Sequence, residues 1–107
     1  MAETKHFVKL ESISLHPESR TIGGQPCIEV GEIIVFSSPN FHASFIFIEG
    51  NVALPAPQIG AGGILGPTGI QFYYHADHYP WVIDILRNKG KVFVGIDRNK
   101  VRFGCEY

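Results

Sequence analysis

A chain of 107 residues, 45% hydrophobic, 18% charged and 12% aromatic, has the length of one domain and the composition of a globular protein, which excludes a disordered polymer. Nine basic and ten acidic residues give a formal charge of −1, too little field to gather phosphate backbones or an anionic surface, so neither nucleic acid nor membrane is an expected partner. Met1 to His6 lack a signal-like start, no stretch approaches ~20 apolar residues, and Cys27 and Cys105 stand alone, so the expectation is a cytoplasmic protein with two free thiols.

In chain order, residues 6–15 alternate through Val8 and Leu10, then change register to Ile13 and Leu15, which predicts a strand with a bulge. Residues 16–26 carry Pro17, Gly23, Gly24 and Pro26 and predict a mobile polar loop. Residues 27–36 and 41–49 are β-branched and aromatic runs separated by Ser37-Ser38-Pro39-Asn40, the pattern of a hairpin. Residues 50–69 hold Pro55, Pro57 and Pro67 among many glycines and predict one long loop.

A further strand follows at 70–75, then a helix over 78–88. Asp77 or His78 is the expected cap and Pro80 falls in the first turn. Trp81 with Ile85, and Val82 with Leu86, form its apolar stripe, and Gly90 stops it. Residues 92–96 and 101–105 make a terminal hairpin. The basic residues Arg87, Lys89, Lys91, Arg98, Lys100 and Arg102 read as helix-end cations and a solvated hairpin face. The segment 80–88 leading into that hairpin resembles small bacterial proteins, a resemblance that carries no activity with it.

The expected architecture is therefore α+β: a single domain, 1–107, with a strongly curved or barrel-like, mostly antiparallel sheet of about six strands and one helix between strands four and five. Ile33 to Phe36 and Phe45 to Ile48 are apolar on both faces. Six strands span roughly 24 Å, whereas a ten-residue helix covers only ~15 Å by ~10 Å. The remainder needs curling, the long loop, or a second copy of the chain, so a homodimer or higher homo-oligomer is expected.

Four groups of residues invite a functional reading. His75-Ala76-Asp77-His78-Tyr79 gathers imidazoles, a carboxylate and a phenol at a strand-to-helix junction. Its His-x-Asp-His fragment resembles part of the metallo-β-lactamase metal motif, but the preceding His-x is missing and helix capping is the favoured role. No metal or cofactor is assigned. The glycines of 60–69 fit no phosphate-binding spacing.

Glu29 and Glu32, an odd number apart, face opposite sides of a regular strand and could be paired only by a bulge at Gly31; as they stand they read as solvated carboxylates, and His42 as an exposed or satisfied side chain. Phe72, Tyr73, Tyr74, Tyr79 and Trp81 collect around the junction, with Tyr73 and Tyr74 necessarily on opposite faces.

The leading expectation is a small-ligand or partner-binding module acting as a homo-oligomer, with Tyr73, Tyr74, His75, His78, Tyr79 and Trp81 as ligand-binding residues beneath the 50–69 loop. The alternatives are a small hydrolase or isomerase using a His or Glu general base, and a structural protein without a pocket.

Overall fold

The computed structural model describes residues 4–37, 41–59, 69–88, 91–97 and 100–106, with Ile59 described in its backbone only. Its elements are β1 (Thr4–Phe7), β2 (Lys9–Ile22), β3 (Gln25–Ser37), β4 (Phe41–Glu49), β5 (Gln58–Ile59), β6 (Gly69–His75), a 3-10 turn (Ala76–His78), α1 (Tyr79–Asn88), β7 (Lys91–Asp97) and β8 (Lys100–Glu106). Mostly sheet with one helix, the chain is α+β as expected. The expected single curved or barrel-like sheet is corrected: there are two sheets, ordered β1-β7-β8 and β2-β3-β4-β6-β5, and neither closes.

The division begins at Val8. β1 pairs with β7, β2 pairs with β3, and the buried Val8 between them donates its N–H to the Val92 carbonyl at 2.9 Å. A run that reads as one strand thus feeds two sheets. With this division and the short β5, the helix follows the sixth strand rather than the fourth.

The second correction concerns residues 16–26, which form no loop. β2 runs on to Ile22, turns through Gly23 and Gly24 at φ 58° and 79°, and returns as β3 from Gln25. Positive φ at both central residues is the backbone of a two-residue hairpin turn matched to strand twist, and glycine reaches it without a Cβ penalty. Pro17 falls in a register shift between Leu15 and Glu18, where the ladder asks no N–H of it. The bulge expected between Leu10 and Ile13 is present, as a shift between Leu10 and Ser12.

The hairpin of β3 and β4 and the hairpin of β7 and β8 form where the sequence predicts them. β6 lies parallel to β4, so the intervening chain must cross over rather than turn back. Its described part, 50–57, has no regular structure, as expected, while β5 adds a short edge at 58–59. Residues 60–68, both hairpin connections at 38–40 and 98–99, and Lys89 and Gly90 lie outside the described residues.

The main core lies between one face of the five-stranded sheet and a layer made of α1 and the three-stranded sheet. It joins Ile33, Val35, Ala43, Phe45, Phe47 and Phe72 to Val82, Ile85, Val92 and Val94. Phe45 stacks on Phe72 at 5.0 Å and meets the Phe103 edge at 4.6 Å, the offset and edge geometries that aromatic quadrupoles favour.

α1 follows its apolar spacing and buries Val82 and Ile85. Trp81, expected on that stripe, is 48% exposed at its margin. The 3-10 turn leading into the helix starts at His75 without a side-chain cap bond, and Asp77 instead contacts the His78 ring at 3.2 Å.

A second, smaller cluster lies on the opposite face of the five-stranded sheet. There Cys27, Ile46 and Ile48 are buried beneath Val52 and Leu54 of the crossover. The long loop therefore supplies part of the cover that the two-faced strands require. Among the described residues no helix is long and apolar enough to cross a membrane.

Candidate functional site

The same face carries the chain's densest set of described ionisable contacts. β3 and β4 shift register between Glu29 and Gly31, so one extra residue, Val30, bulges out and the alternation of β3 reverses across it. Glu29 and Glu32, opposed in a regular strand, thereby share one face. The bulge forms at Val30, one residue before Gly31. Glu29 is 7% exposed, so the reading of it as a solvated carboxylate is corrected.

Burying a carboxylate costs several kcal/mol unless it is paired, on the order of the stability of a small domain. Both Glu29 oxygens are partnered. Arg20 Nη1 donates to Oε1, and His16 Nε2 lies 2.6 Å from Oε2. Ser14 Oγ, 3.1 Å from His16 Nδ1, orients the ring from its other nitrogen. Glu18 sits directly across the ladder from Glu29, with its Oε2 3.7 Å from His16 Nε2.

Glu32 completes the group. Burial holds its carboxyl above the usual range, and the neighbouring Glu29 charge pushes it the same way, against smaller opposing effects of His16, Ser44 and Arg20. The Ser44 hydroxyl is wholly buried and falls short of hydrogen-bond geometry, although it lies close enough to Glu32 to favour its ionised form.

Tyr73 borders the group from β6. Its ring lies 5.8 Å from the Arg20 guanidinium and its hydroxyl donates to Gln71 Oε1 at 3.3 Å. Beside it, Ser19, Arg20, Thr21, Pro26, Cys27 and Ile28 line an open depression of about 580 Å³.

The six residues singled out from sequence do not share one site. Tyr73 and His75 lie on this polar face; His75 Nε2 is 2.9 Å from the Val52 carbonyl, and His75 also lines a depression of about 440 Å³ with Asp77 and Asn51. Tyr74, on the core face, is 6.2 Å from the Trp81 ring and 5.8 Å from the His78 ring, and burial raises its phenol pKa. Tyr79 meets the Phe47 edge at 5.2 Å. These four serve the aromatic core and its rim. Among the described residues of the crossover, Val52 and Leu54 pack against the same small cluster as Tyr73. His42 is 3.8 Å from Glu11, an exposed pair.

Sequence reasoning passed over His16, Glu18 and Arg20 because two prolines made 16–26 look like a loop. A signal was present: Ser14, His16, Glu18, Arg20 and Ile22 alternate with period two up to Gly23-Gly24, a hairpin pattern. Comparison with protein-family models, curated proteins and solved structures finds no match for this chain.

Proposed function

We propose that this chain is a small-ligand-binding module whose site is the polar face of the five-stranded sheet, centred on Glu29. One observation carries this reading: a buried carboxylate is held at both oxygens, by His16 and Arg20, on a face where an apolar side chain would be cheaper. Pre-set polar groups beside an open depression and an aromatic ring, Tyr73, are the usual furniture of a small-molecule site. The two free thiols suit a reducing compartment, and the module is assigned to the cytoplasm on that ground.

The test is NMR chemical-shift mapping against a panel of small polar metabolites and divalent cations. The expected result is a set of perturbations confined to His16, Arg20, Glu29, Glu32 and Tyr73. Perturbations centred on Tyr74, His78 and Trp81 would overturn the placement, and a panel without response would overturn the reading.

An enzymatic reading is favoured by one feature, the Glu29 and Glu32 pair. One carboxyl held above its usual range beside one bound by Arg20 is the asymmetry that separates an acid–base group from a permanently charged one. In that case Glu32 is the general acid or base.

A further inference from the structure

The Glu29 cluster contains an arrangement that a hydrogen-bond network alone explains poorly. Glu18 and Glu29 are directly opposite one another on β2 and β3, and like charges at that position destabilise an antiparallel pair. Arg20 offsets part of this by holding Glu29 Oε1, which leaves Oε2 turned to the imidazole. One donor atom from each of His16, Glu18 and Glu29 then lies within 4.8 Å of the other two.

We infer that His16, Glu18 and Glu29 form a binding site for a divalent transition-metal ion of the zinc type, His16 through Nε2 and each glutamate through one oxygen. This rests on the reading of the polar face as the ligand site and names its ligand.

Several independent features agree. An ion with bonds of 2.0–2.2 Å in tetrahedral coordination spaces its ligand atoms about 3.4 Å apart. His16 Nε2 is 2.6 Å from Glu29 and 3.7 Å from Glu18, so the first separation opens by under about 1 Å and the second is nearly in place. The ring nitrogen not facing the ion meets Ser14 Oγ, and the Glu29 oxygen not facing it meets Arg20; metal ligands are commonly oriented through such outer partners.

One imidazole with two carboxylates suits zinc, manganese or iron better than calcium or magnesium, which favour oxygen alone. The His16 and Glu18 side chains are 34% and 66% exposed, so the ion has an entry path and keeps room for water or a further ligand.

The test uses the untagged, chelator-stripped full chain titrated with zinc chloride, followed by calorimetry and by long-range proton–nitrogen spectra of the histidine rings. Saturable binding of one ion per chain is expected, with the His16 ring nitrogens shifting and those of His6, His42, His75 and His78 unchanged. His16→Gln, which keeps an N–H donor for Glu29, and Glu18→Gln, at an exposed position, are expected to weaken binding by at least roughly tenfold. His78→Gln is expected to leave it unaltered.

Zinc that binds His16→Gln as well as the parent, or that first perturbs His78 and Asp77, would overturn the inference. A response at His16, Arg20 and Glu29 to small metabolites without any response to zinc would overturn the ion and leave the binding face standing. Silence to both would overturn the two together.

Discussion

At the scale of single residues, the chemistry turns on how the protein handles carboxylates. Glu29 is buried and held by two partners, whereas Glu32, half-buried on the same face, has its carboxyl raised by burial and by the Glu29 charge. A carboxyl whose folded pKa lies above its unfolded value binds the proton more tightly in the folded chain. Its stabilising contribution is therefore complete below the unfolded value, near 4.5, and is lost as pH rises through the raised folded value. Glu32→Gln removes this slope. In urea unfolding the variant is expected to be more stable than the parent at pH 7 and indistinguishable from it near pH 4. Identical pH slopes in the two proteins would show that Glu32 titrates as an ordinary exposed carboxyl, which would also remove the ground for an acid–base role.

At the scale of elements, the site exists because β2 and β3 each carry an irregularity at the same level of the hairpin. β2 slips between Leu15 and Glu18, and β3 slips against β4 between Glu29 and Gly31. Gly31 stands where they meet: a Cβ there would come within 2.9 Å of both the Ser14 carbonyl oxygen and Leu15 Cδ2. The leucine methyl can move aside, but the carbonyl belongs to a paired strand and cannot. Gly31→Ala is accordingly expected to cost about 1–3 kcal/mol, read by thermal or urea denaturation. It is also expected to displace Ser14 and hence the orientation of His16, which a shift in the His16 ring resonances would report. A variant as stable as the parent would mean that the strands part there without penalty.

For the whole molecule, the open question is how the apolar surface that remains is used. Two sheets and a helix enclose the main core, and the crossover covers the second cluster, yet Leu15 and Ile28 remain 69% and 44% exposed. By strand alternation both lie on the core-facing side of the β2–β3 hairpin. The homodimer or higher homo-oligomer expected from the sequence predicts that this arm is part of the contact, because two large apolar side chains exposed on one side of an extended arm favour association. Sedimentation analysis is expected to show a dimer, and Leu15→Glu with Ile28→Lys a monomer with an unchanged circular dichroism spectrum. A parent chain that sediments as a monomer would overturn the expected self-association.

Local pattern determined much of this. Period-two runs gave the hairpins of β3 with β4 and of β7 with β8, a 3.6-residue spacing placed Val82 and Ile85 inward on one helix, and the changed register after Leu10 announced a bulge. These are near-neighbour effects, decided by the backbone's two short periods and by the side chains a few residues away. What only the tertiary structure decided depends on contacts between distant residues. Val8 divides one apolar run between two sheets because Val92 is there to accept its N–H. β6 runs parallel to β4, and Val52 and Leu54 of the connecting chain pack on the face opposite the helix. Pro17 is tolerated inside a strand because a bulge receives it, and that bulge brings His16 to a glutamate 13 positions away in sequence. Pairing, not propensity, built the site.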